Sequence, residues 1–420
     1  MRVMFTLVLV AATALSAVQD QDFLARARLL HKQVPLIDGH NDYPWALREN
    51  NVERDINRLD IRMPQPSIHT DIPRLREGGV GGQFWSVYVP ASLEGQAAVR
   101  TTFEQIDVVH RMTRKYPDTF ELARTAADVE RIFKGGKIAS LIGMEGGHAI
   151  DNSLATLRMF YAVGARYMTL THSTNIAWAD SGTDEAKLGG LSRFGEEIVR
   201  EMNRMGMLVD LSHTSPETMD DALRVTEAPV IFSHSVARAL NDHGRNVPDA
   251  ILRQLPRNGG VVMVTFVPSF LSPAANEHGK RQQAERDRLR ALYPNDTTRV
   301  TSEIKVWLQA NPEPRATLAD VANHIDHIRK VAGVDHIGIG SDFDGITSVP
   351  LGLENVSTYP ALTAELLKRG YSDADVKKIL GLNVLRVLKR AEVVAAHLQK
   401  QREPSIATIE KLDGAATSQP

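Results

Sequence analysis

Seven histidine and acidic side chains stand near the ends of short apolar runs, where a buried strand would not otherwise carry ionisable groups. Two of them, His40 and Asp42, close the run that begins "VPLID". Because side chains alternate between the two faces of a strand, this spacing points both groups to the same side. Imidazole and carboxylate ligands without thiolate favour zinc, with manganese or cobalt as substitutes. The pair therefore predicts a divalent metal site.

Five further residues of this kind close later apolar runs: Glu145, His172, His213, His234 and Asp342. One such histidine alone would more often be a hydrogen-bonded core residue, but six runs that end this way favour a shared site. A carboxylate such as Glu145 can bridge two metals through its two oxygens, and His213 with His234 completes the second. Two ions about 3.5–4 Å apart share a water, lower its pKa and polarise the bond that it attacks.

The runs themselves are arranged as in a parallel barrel. Eight short β-rich runs alternate with segments of helical period, such as "SRFGEEIVREMNRM",. This alternation predicts an α/β fold, a TIM-type (β/α)8 barrel, ahead of an open doubly wound sheet. The C-terminal strand ends of such a barrel converge on one face, where the seven side chains would meet. The long charged segment at about 275–315 predicts a helical insertion between strands seven and eight, over the barrel mouth.

Composition sets the remaining bounds. The chain has 420 residues, 43% of them hydrophobic, and its net charge of -2 gives no reason to expect nucleic acid or an anionic membrane as a partner,. A basic start, an apolar run from Val3 to Leu15 and the small residues Ser16 and Ala17 predict a signal peptide over 1–17,. The mature protein is therefore expected to be exported, periplasmic or secreted, without a membrane anchor. Residues 18–400 would form a single metallohydrolase domain and 401–420 a C-terminal tail.

Several ordered motifs carry a resemblance to a known family. They include "LIDGHNDYPW", "EGGHAI", "RYMTLTHSTN", "VDLSHTS", "PVIFSHS", "RNVPD" and "GSDFDG", and the similarity runs from about Val34 to Arg390. The sequence resembles the membrane dipeptidase (renal dipeptidase) family of metal-dependent amidohydrolases. The resemblance implies a homodimeric enzyme with two Zn²⁺ per chain that hydrolyses L-L and L-D dipeptides and, in some members, β-lactam rings. Matched residue by residue, it implies the zinc ligands His40, Asp42, Glu145 (the bridge), His213 and His234.

The resemblance also implies roles for three residues around the metals. His172 would contact the substrate carbonyl oxygen and the tetrahedral intermediate. Asp342 would hold the attacking water and pass its proton to the leaving amine, and Arg245 would bind the free carboxylate of the substrate. One departure is that Val267-Pro268-Ser269-Phe270 stands where tyrosines are expected in the animal enzymes. The lost hydroxyl groups affect the expected side-chain preference and leave the reaction unchanged.

Two alternatives to dipeptide hydrolysis remain open from the sequence. One is another amidohydrolase reaction on a substrate with a carboxylate, such as an N-acyl amino acid or a lactone. The other is a catalytically silent binding protein, although none of the expected ligands is missing. His324 and His327 have a spacing that metal sites use, but they lie on the helix before the last strand. We therefore interpret them as structural.

Overall fold

Eight parallel strands close into a barrel in the computed structural model, which describes residues 21–50 and 52–414. The predicted signal peptide lies outside these residues and stays a prediction. Within the described residues the sheet has nine strands, and all except β3 belong to the barrel: β1 (Leu36–Asn41), β2 (Val80–Ser86), β3 (Phe120–Leu122), β4 (Ile138–Glu145), β5 (Ala165–Thr169), β6 (Leu208–Asp210), β7 (Ile231–Ser235), β8 (Val261–Val264) and β9 (Ile337–Ile339). Their order is β2-β1-β9-β8-β7-β6-β5-β4, and pairing of β2 with β4 closes the ring. The predicted (β/α)8 barrel is confirmed.

Strand β3 was not predicted, and it is not one of the eight barrel strands. It pairs in parallel with the beginning of β4, where Phe120 lies opposite Ile138. Strand β5 pairs with β4 only from Ile142 onward. The short strand therefore extends the sheet at the N-terminal end of β4, far from the ends that carry the ionisable residues.

Helices cover the outside of the barrel. They are α1 (21–31), α2 (Tyr43–Glu49), α3 (Ile72–Glu77), α4 (Gly95–Lys115), α5 (Ala126–Lys134), α6 (Leu154–Val163), α7 (Arg193–Met205), α8 (Pro216–Val225), α9 (Asp249–Leu252), α10 (Leu255–Asn258), α11 (Pro268–Leu271), α12 (Pro273–Leu292), α13 (Thr297–Ala310), α14 (Leu318–Val331), α15 (Tyr359–Lys368), α16 (Asp373–Lys377), α17 (Asn383–Leu398) and α18 (Ile409–Asp413). None of the helices in the described ranges combines the length and apolar character needed to cross a bilayer.

Local sequence explains where many of these helices begin. Thr317 caps α14 because its side chain accepts a hydrogen bond from the Asp320 backbone N–H, and the Asp320 carboxylate accepts one from the Thr317 backbone N–H,. Ser192 caps α7 in the same position,. The first turn of α7 also bonds Asp413, which accepts from the Ser192 hydroxyl. The described part of the predicted tail thus packs on the barrel and stabilises the start of a helix.

Side chains from opposite strands meet inside the barrel. Tyr167 on β5 reaches across to β1, and its hydroxyl donates to the backbone carbonyl of Gly39 at 3.1 Å. Gly143 on β4 makes room for this ring, because a Cβ at that position would lie 2.0 Å from Tyr167 Cζ. The crossing ring is fully buried. The interior is therefore filled by side chains below the C-terminal rim.

The predicted insertion is present as helices α11, α12 and α13 between the last two strands. Leu289, Val300 and Ile304 form a small apolar cluster of their own between α12 and α13. Asn276 at the start of α12 donates to the side chain of Asn241 in the loop after β7. The residues that line the cavity at the barrel mouth include Phe270 in α11, but α12 and α13 contribute none. A capping role for the two long helices therefore stays a prediction.

Candidate active site

The seven ionisable residues predicted for the site lie at the C-terminal ends of six barrel strands. His40 and His234 lie within β1 and β7, Glu145 is the last residue of β4, Asp42 follows β1 directly, and His172, His213 and Asp342 each lie three residues beyond β5, β6 and β9. The last three thus belong to loops, which corrects the prediction that they end strands. His213 and Asp342 also have positive φ angles of 69° and 70°. Such backbone strain is typical of functional sites.

Glu145 lies at the centre of the group, and its two oxygens face different neighbours. Oε1 lies 2.9 Å from His213 Nε2 and 3.5 Å from His234 Nε2. Oε2 lies 3.3 Å from His40 Nε2 on the other side. Asp42 Oδ2 is 3.2 Å from that same nitrogen. The carboxylate therefore separates two half-sites, one around His40 and Asp42 and the other around His213 and His234.

The ring orientation of His40 is fixed by Tyr167. Tyr167 donates its only proton to Gly39, so its hydroxyl accepts from His40 Nδ1 at 2.9 Å. His40 Nε2 then keeps its lone pair, is fully buried, and has no hydrogen-bond partner. A buried lone pair without a partner is costly unless a cation meets it.

His234 is oriented in the same manner from the other side of the barrel. Ser233 Oγ donates to Asp210 Oδ2 at 2.6 Å and accepts from His234 Nδ1 at 2.8 Å. The Nε2 lone pair of His234 therefore also points toward Glu145. Support of ligand histidines through their second nitrogen is a regular feature of metal sites.

The charges of the group match those of a metal site. Burial opposes ionisation of Glu145, but His40 and the other neighbouring histidines hold the pKa of this carboxyl well below its usual range. Burial lowers the pKa of His213 and of His234 well below the ordinary value, which keeps both imidazoles neutral. Burial also raises the pKa of Asp342, with further contributions from the nearby carboxylates. Burial opposes protonation of His40, but Tyr167 and the carboxylates of Glu145 and Asp42 hold its pKa well above the ordinary value. An ionised carboxylate beside the neutral imidazoles of His213 and His234 is a donor set that suits a divalent cation.

The spacing of the donor atoms fits this cation. Zinc binds nitrogen and oxygen at about 2.0–2.2 Å, so two ligands of a tetrahedral ion lie roughly 3.4 Å apart. The observed separations of 3.2 and 3.3 Å around His40, and of 2.9 and 3.5 Å around Glu145 Oε1, cluster near that value. Three groups of donors have all their atoms within 4.8 Å of one another: His40, Glu145 and His234; Glu145, His172 and His213; and His40, Asp42 and Asp342. The residues therefore fit a metal centre.

A loop pairing places Asp342 beside the first half-site. The Asp342 backbone N–H donates to His40 O at 3.1 Å, and Asp42 N–H donates to Phe343 O at 2.9 Å. The loop after β9 thereby extends the pairing of β9 with β1. Asp342 Oδ1 ends 4.0 Å from His40 Nε2. A carboxyl group at this distance can reach a water bound between the donor groups.

A cavity of about 300 Å³ opens above the group. His172, partly exposed, lines it with Nε2 3.6 Å from Glu145 Oε1. Arg245 lines another side, with its guanidinium 5.1 Å from the ring centroid of Phe270. This guanidinium donates to the His234 carbonyl at 3.3 Å, whereas its Nε and Nη1 are buried without a partner. Burial lowers the pKa of Arg245 to about 10, which leaves it charged and able to hold an anion.

The residues that orient the candidate ligands, and those that form the cavity wall, were not predicted from the sequence. Tyr167 lies inside β5 among apolar residues, and Ser233 lies directly before His234. Neither position has a sequence pattern that indicates a hydrogen bond to a ligand histidine. Trp45 and Tyr88 also line the cavity. For Trp45 the sequence offers one indication of a place near the site: it is three residues after Asp42, about one helical turn away.

The histidines interpreted as structural are away from the cavity. His324 Nε2 lies 3.0 Å from Leu271 O, and His327 Nε2 lies 2.8 Å from Asp249 Oδ1. These contacts tie α14 to its neighbours α11 and α9. Neither histidine lines the mouth of the barrel.

Comparisons with known proteins agree on one family. A family model described as membrane dipeptidase (peptidase family M19) matches residues 24–402. The chain is 42% identical over 393 residues to dipeptidase verJ of Clonostachys rogersoniana. The aligned region covers 91% of this chain and 90% of that protein. The crystal structure of the probable dipeptidase PvdM from Pseudomonas aeruginosa superimposes with a TM-score of 0.76 at 26% identity, covering 89% of this chain and all of that one. A metallopeptidase from Rhodobacter sphaeroides, liganded with a phosphinate mimic of L-Ala-D-Ala, gives 0.71 at 26% identity over 85% of this chain and 99% of its own.

Proposed function

The chain belongs to the membrane dipeptidase family, peptidase family M19, whose members are metal-dependent dipeptidases, and we propose that its site is a binuclear zinc centre that cleaves dipeptides with a free C-terminal carboxylate. The observation that carries this proposal is the division of the Glu145 oxygens between two half-sites. One ion would be held by His40 and Asp42 and the other by His213 and His234. When bound, such ions lower the pKa of a water and polarise the carbonyl group that it attacks.

The protein side chains handle the proton and the oxyanion. Asp342 lies beside the His40 half-site, where it accepts the proton of the attacking water and donates it to the leaving amine,. His172 stands at the opposite side of Glu145 and is only partly buried. Its imidazole N–H is therefore free to donate to the carbonyl oxygen as negative charge develops there.

Substrate length follows from Arg245. Two adjacent N–H groups of a guanidinium suit the two oxygens of one carboxylate, held by parallel hydrogen bonds, and Nε and Nη1 of Arg245 have no partner within the described part of the protein,. The cavity of about 300 Å³ is at the small end of the range for ligand pockets,. A dipeptide places its carboxylate one residue beyond the scissile bond, whereas a tripeptide places it farther away. Since the contact recognises the carboxylate and no side chain, a D-residue at the C-terminal position is tolerated.

The mimic of L-Ala-D-Ala bound to the Rhodobacter sphaeroides relative supports this last point by analogy. A β-lactam ring beside a carboxylate offers the same pair of groups, an amide and an anion. Hydrolysis of such rings is a second activity of the same proposed site.

A substrate panel tests the proposal. Zinc-loaded protein should cleave L-Ala-L-Ala and L-Ala-D-Ala, and it should cleave the tripeptide and the C-terminal amide at least tenfold more slowly. N-acetyl-alanine and N-acetyl-L-Ala-L-Ala distinguish a dipeptidase from an N-acyl amino acid hydrolase, because the second enzyme acts on substrates without a free amino group. Preference for the N-acetyl compounds would refute dipeptide hydrolysis in favour of that alternative.

A further inference from the structure

An aromatic and acidic wall lies along the cavity on the side of the first half-site. Trp45 and Glu49 both belong to α2 and are four residues apart, so they lie on the same face of that helix,. Tyr88 packs against Trp45 edge to face, with ring centroids 5.0 Å apart at 86°. All three line the cavity, and Tyr88 also contacts the ring of His172 at 5.0 Å. The wall therefore runs from the reacting centre outward to Glu49.

Glu49 differs from the other carboxylates of the cavity. Among the described lining residues, Asp42, Glu145 and Asp342 are the other acidic groups, and all three are part of the metal cluster. Glu49 is exposed at the rim. The neighbouring cation Arg48 is bound by Glu104 at 2.7 Å, and its guanidinium lies 5.5 Å from the centroid of the Trp45 ring. The negative charge of Glu49 thus remains directed at whatever enters the cavity.

The length of α2 tells which part of a substrate could reach Glu49. Glu49 is seven positions beyond Asp42, and at a rise of 1.5 Å per residue this is about 10 Å along the helix. An α-amino group next to the scissile carbonyl would stay near Asp42, too far from Glu49. A lysine side chain, a flexible four-carbon stem with an ammonium, reaches roughly 6 Å beyond its Cα. The glutamate side chain can cover the remaining distance.

We propose that Trp45, Tyr88 and Glu49 form a subsite for a cationic side chain on the N-terminal residue of the substrate. Trp45 packs along the aliphatic stem, the Tyr88 ring attracts the cation, and Glu49 pairs with its end. Arg245 lies elsewhere in the cavity and takes the carboxylate, so the two ends of the substrate meet opposite charges. The inference rests on the proposed dipeptidase function and adds the substrate class, dipeptides with N-terminal lysine or arginine.

The test compares lysyl-alanine with norleucyl-alanine, which has the same stem without the ammonium group. We expect the zinc-loaded wild type to favour lysyl-alanine in kcat/KM by about three- to tenfold, the range for a solvent-exposed ion pair with a cation–π contribution. Glu49→Gln should reduce this ratio to below twofold. Glu49→Lys should reverse the charge preference, so that glutamyl-alanine becomes better than lysyl-alanine.

Glu77→Gln is the matched control. Glu77 is an exposed glutamate at the end of α3, directly before β2 and thus at the opposite end of the barrel. This variant should keep the wild-type ratio. An unchanged ratio in Glu49→Gln, or a wild type without preference for lysyl-alanine, would overturn the subsite while leaving dipeptide hydrolysis intact. If the wild type cleaves none of the three dipeptides, the proposed function itself fails.

Discussion

Replacement of Arg245 by methionine should separate substrates by their C-terminal group. Arg245 is 3% exposed, and within the described residues its guanidinium donates one hydrogen bond, to the His234 carbonyl. A substrate carboxylate would give Nε or Nη1 its first acceptor. One-sided loss of a buried, hydrogen-bonded charge pair costs about 2–5 kcal/mol. At about 1.36 kcal/mol per factor of ten, kcat/KM for free-acid dipeptides should fall by about 30- to 5,000-fold.

The same variant should behave differently with dipeptide amides. An amide has no negative charge, so the wild type should bind it poorly and the variant should lose less than about tenfold. Arg245→Lys is a second variant that keeps the charge but loses the planar pair of donors, and it should fall between wild type and Arg245→Met on the acid. The rates of the wild type and of Arg245→Met, each measured on the acid and on the amide, together give the coupling energy between the guanidinium and the carboxylate.

Protein stability provides an independent control for Arg245. A buried charge with two unsatisfied donors is costly in the free protein, so its replacement by methionine should leave Tm unchanged or raise it. Metal content should also stay at the wild-type level. Equal losses of rate on the acid and the amide, or a fall in Tm of more than a few degrees, would show that Arg245 holds the loop after β7, and the carboxylate argument would be refuted.

Three further variants test the remaining parts of the site. Glu145→Ala removes the carboxylate shared by the two half-sites, so metal content should fall well below two ions per chain by mass spectrometry; retention of two ions would refute the bridge. Asp342→Asn cannot accept a proton, and kcat should fall by a factor of about 10² or more at near-normal metal content, whereas metal loss as the main defect would make it a ligand. Tyr167→Phe removes the acceptor for His40 Nδ1, and competition with a chelator should show metal binding weakened about 10- to 100-fold, with unchanged affinity contradicting the orientation role.

The barrel and its rim could be predicted because they depend on local patterns. Each barrel strand is a short apolar run. In a parallel barrel, an ionisable residue that directly follows such a run lies at the C-terminal rim. Glu145, at the end of β4, is an example. Strand β3 could not be found in this way, because its three residues have a charged glutamate at the centre and form no apolar run.

The residues that orient the ligands and form the cavity wall make contacts between distant parts of the chain, so they could not be predicted from local sequence patterns. Tyr167 meets His40 across the barrel, 127 residues away in sequence. The contact requires a glycine at position 143, which makes room for the ring. The wall of Trp45 and Tyr88 likewise joins two separate elements. Such contacts follow from the register and closure of the barrel, which the sequence pattern alone does not specify.

The central claim is that Glu145 joins two metal ions into one reacting centre, and a metal titration tests it most directly. Metal-free protein should be titrated with zinc while hydrolysis of L-Ala-D-Ala and bound zinc are both measured. We expect activity to reach its plateau at two equivalents of zinc per chain, with little activity below one. Full activity at one equivalent, or in the metal-free protein, would contradict the binuclear account.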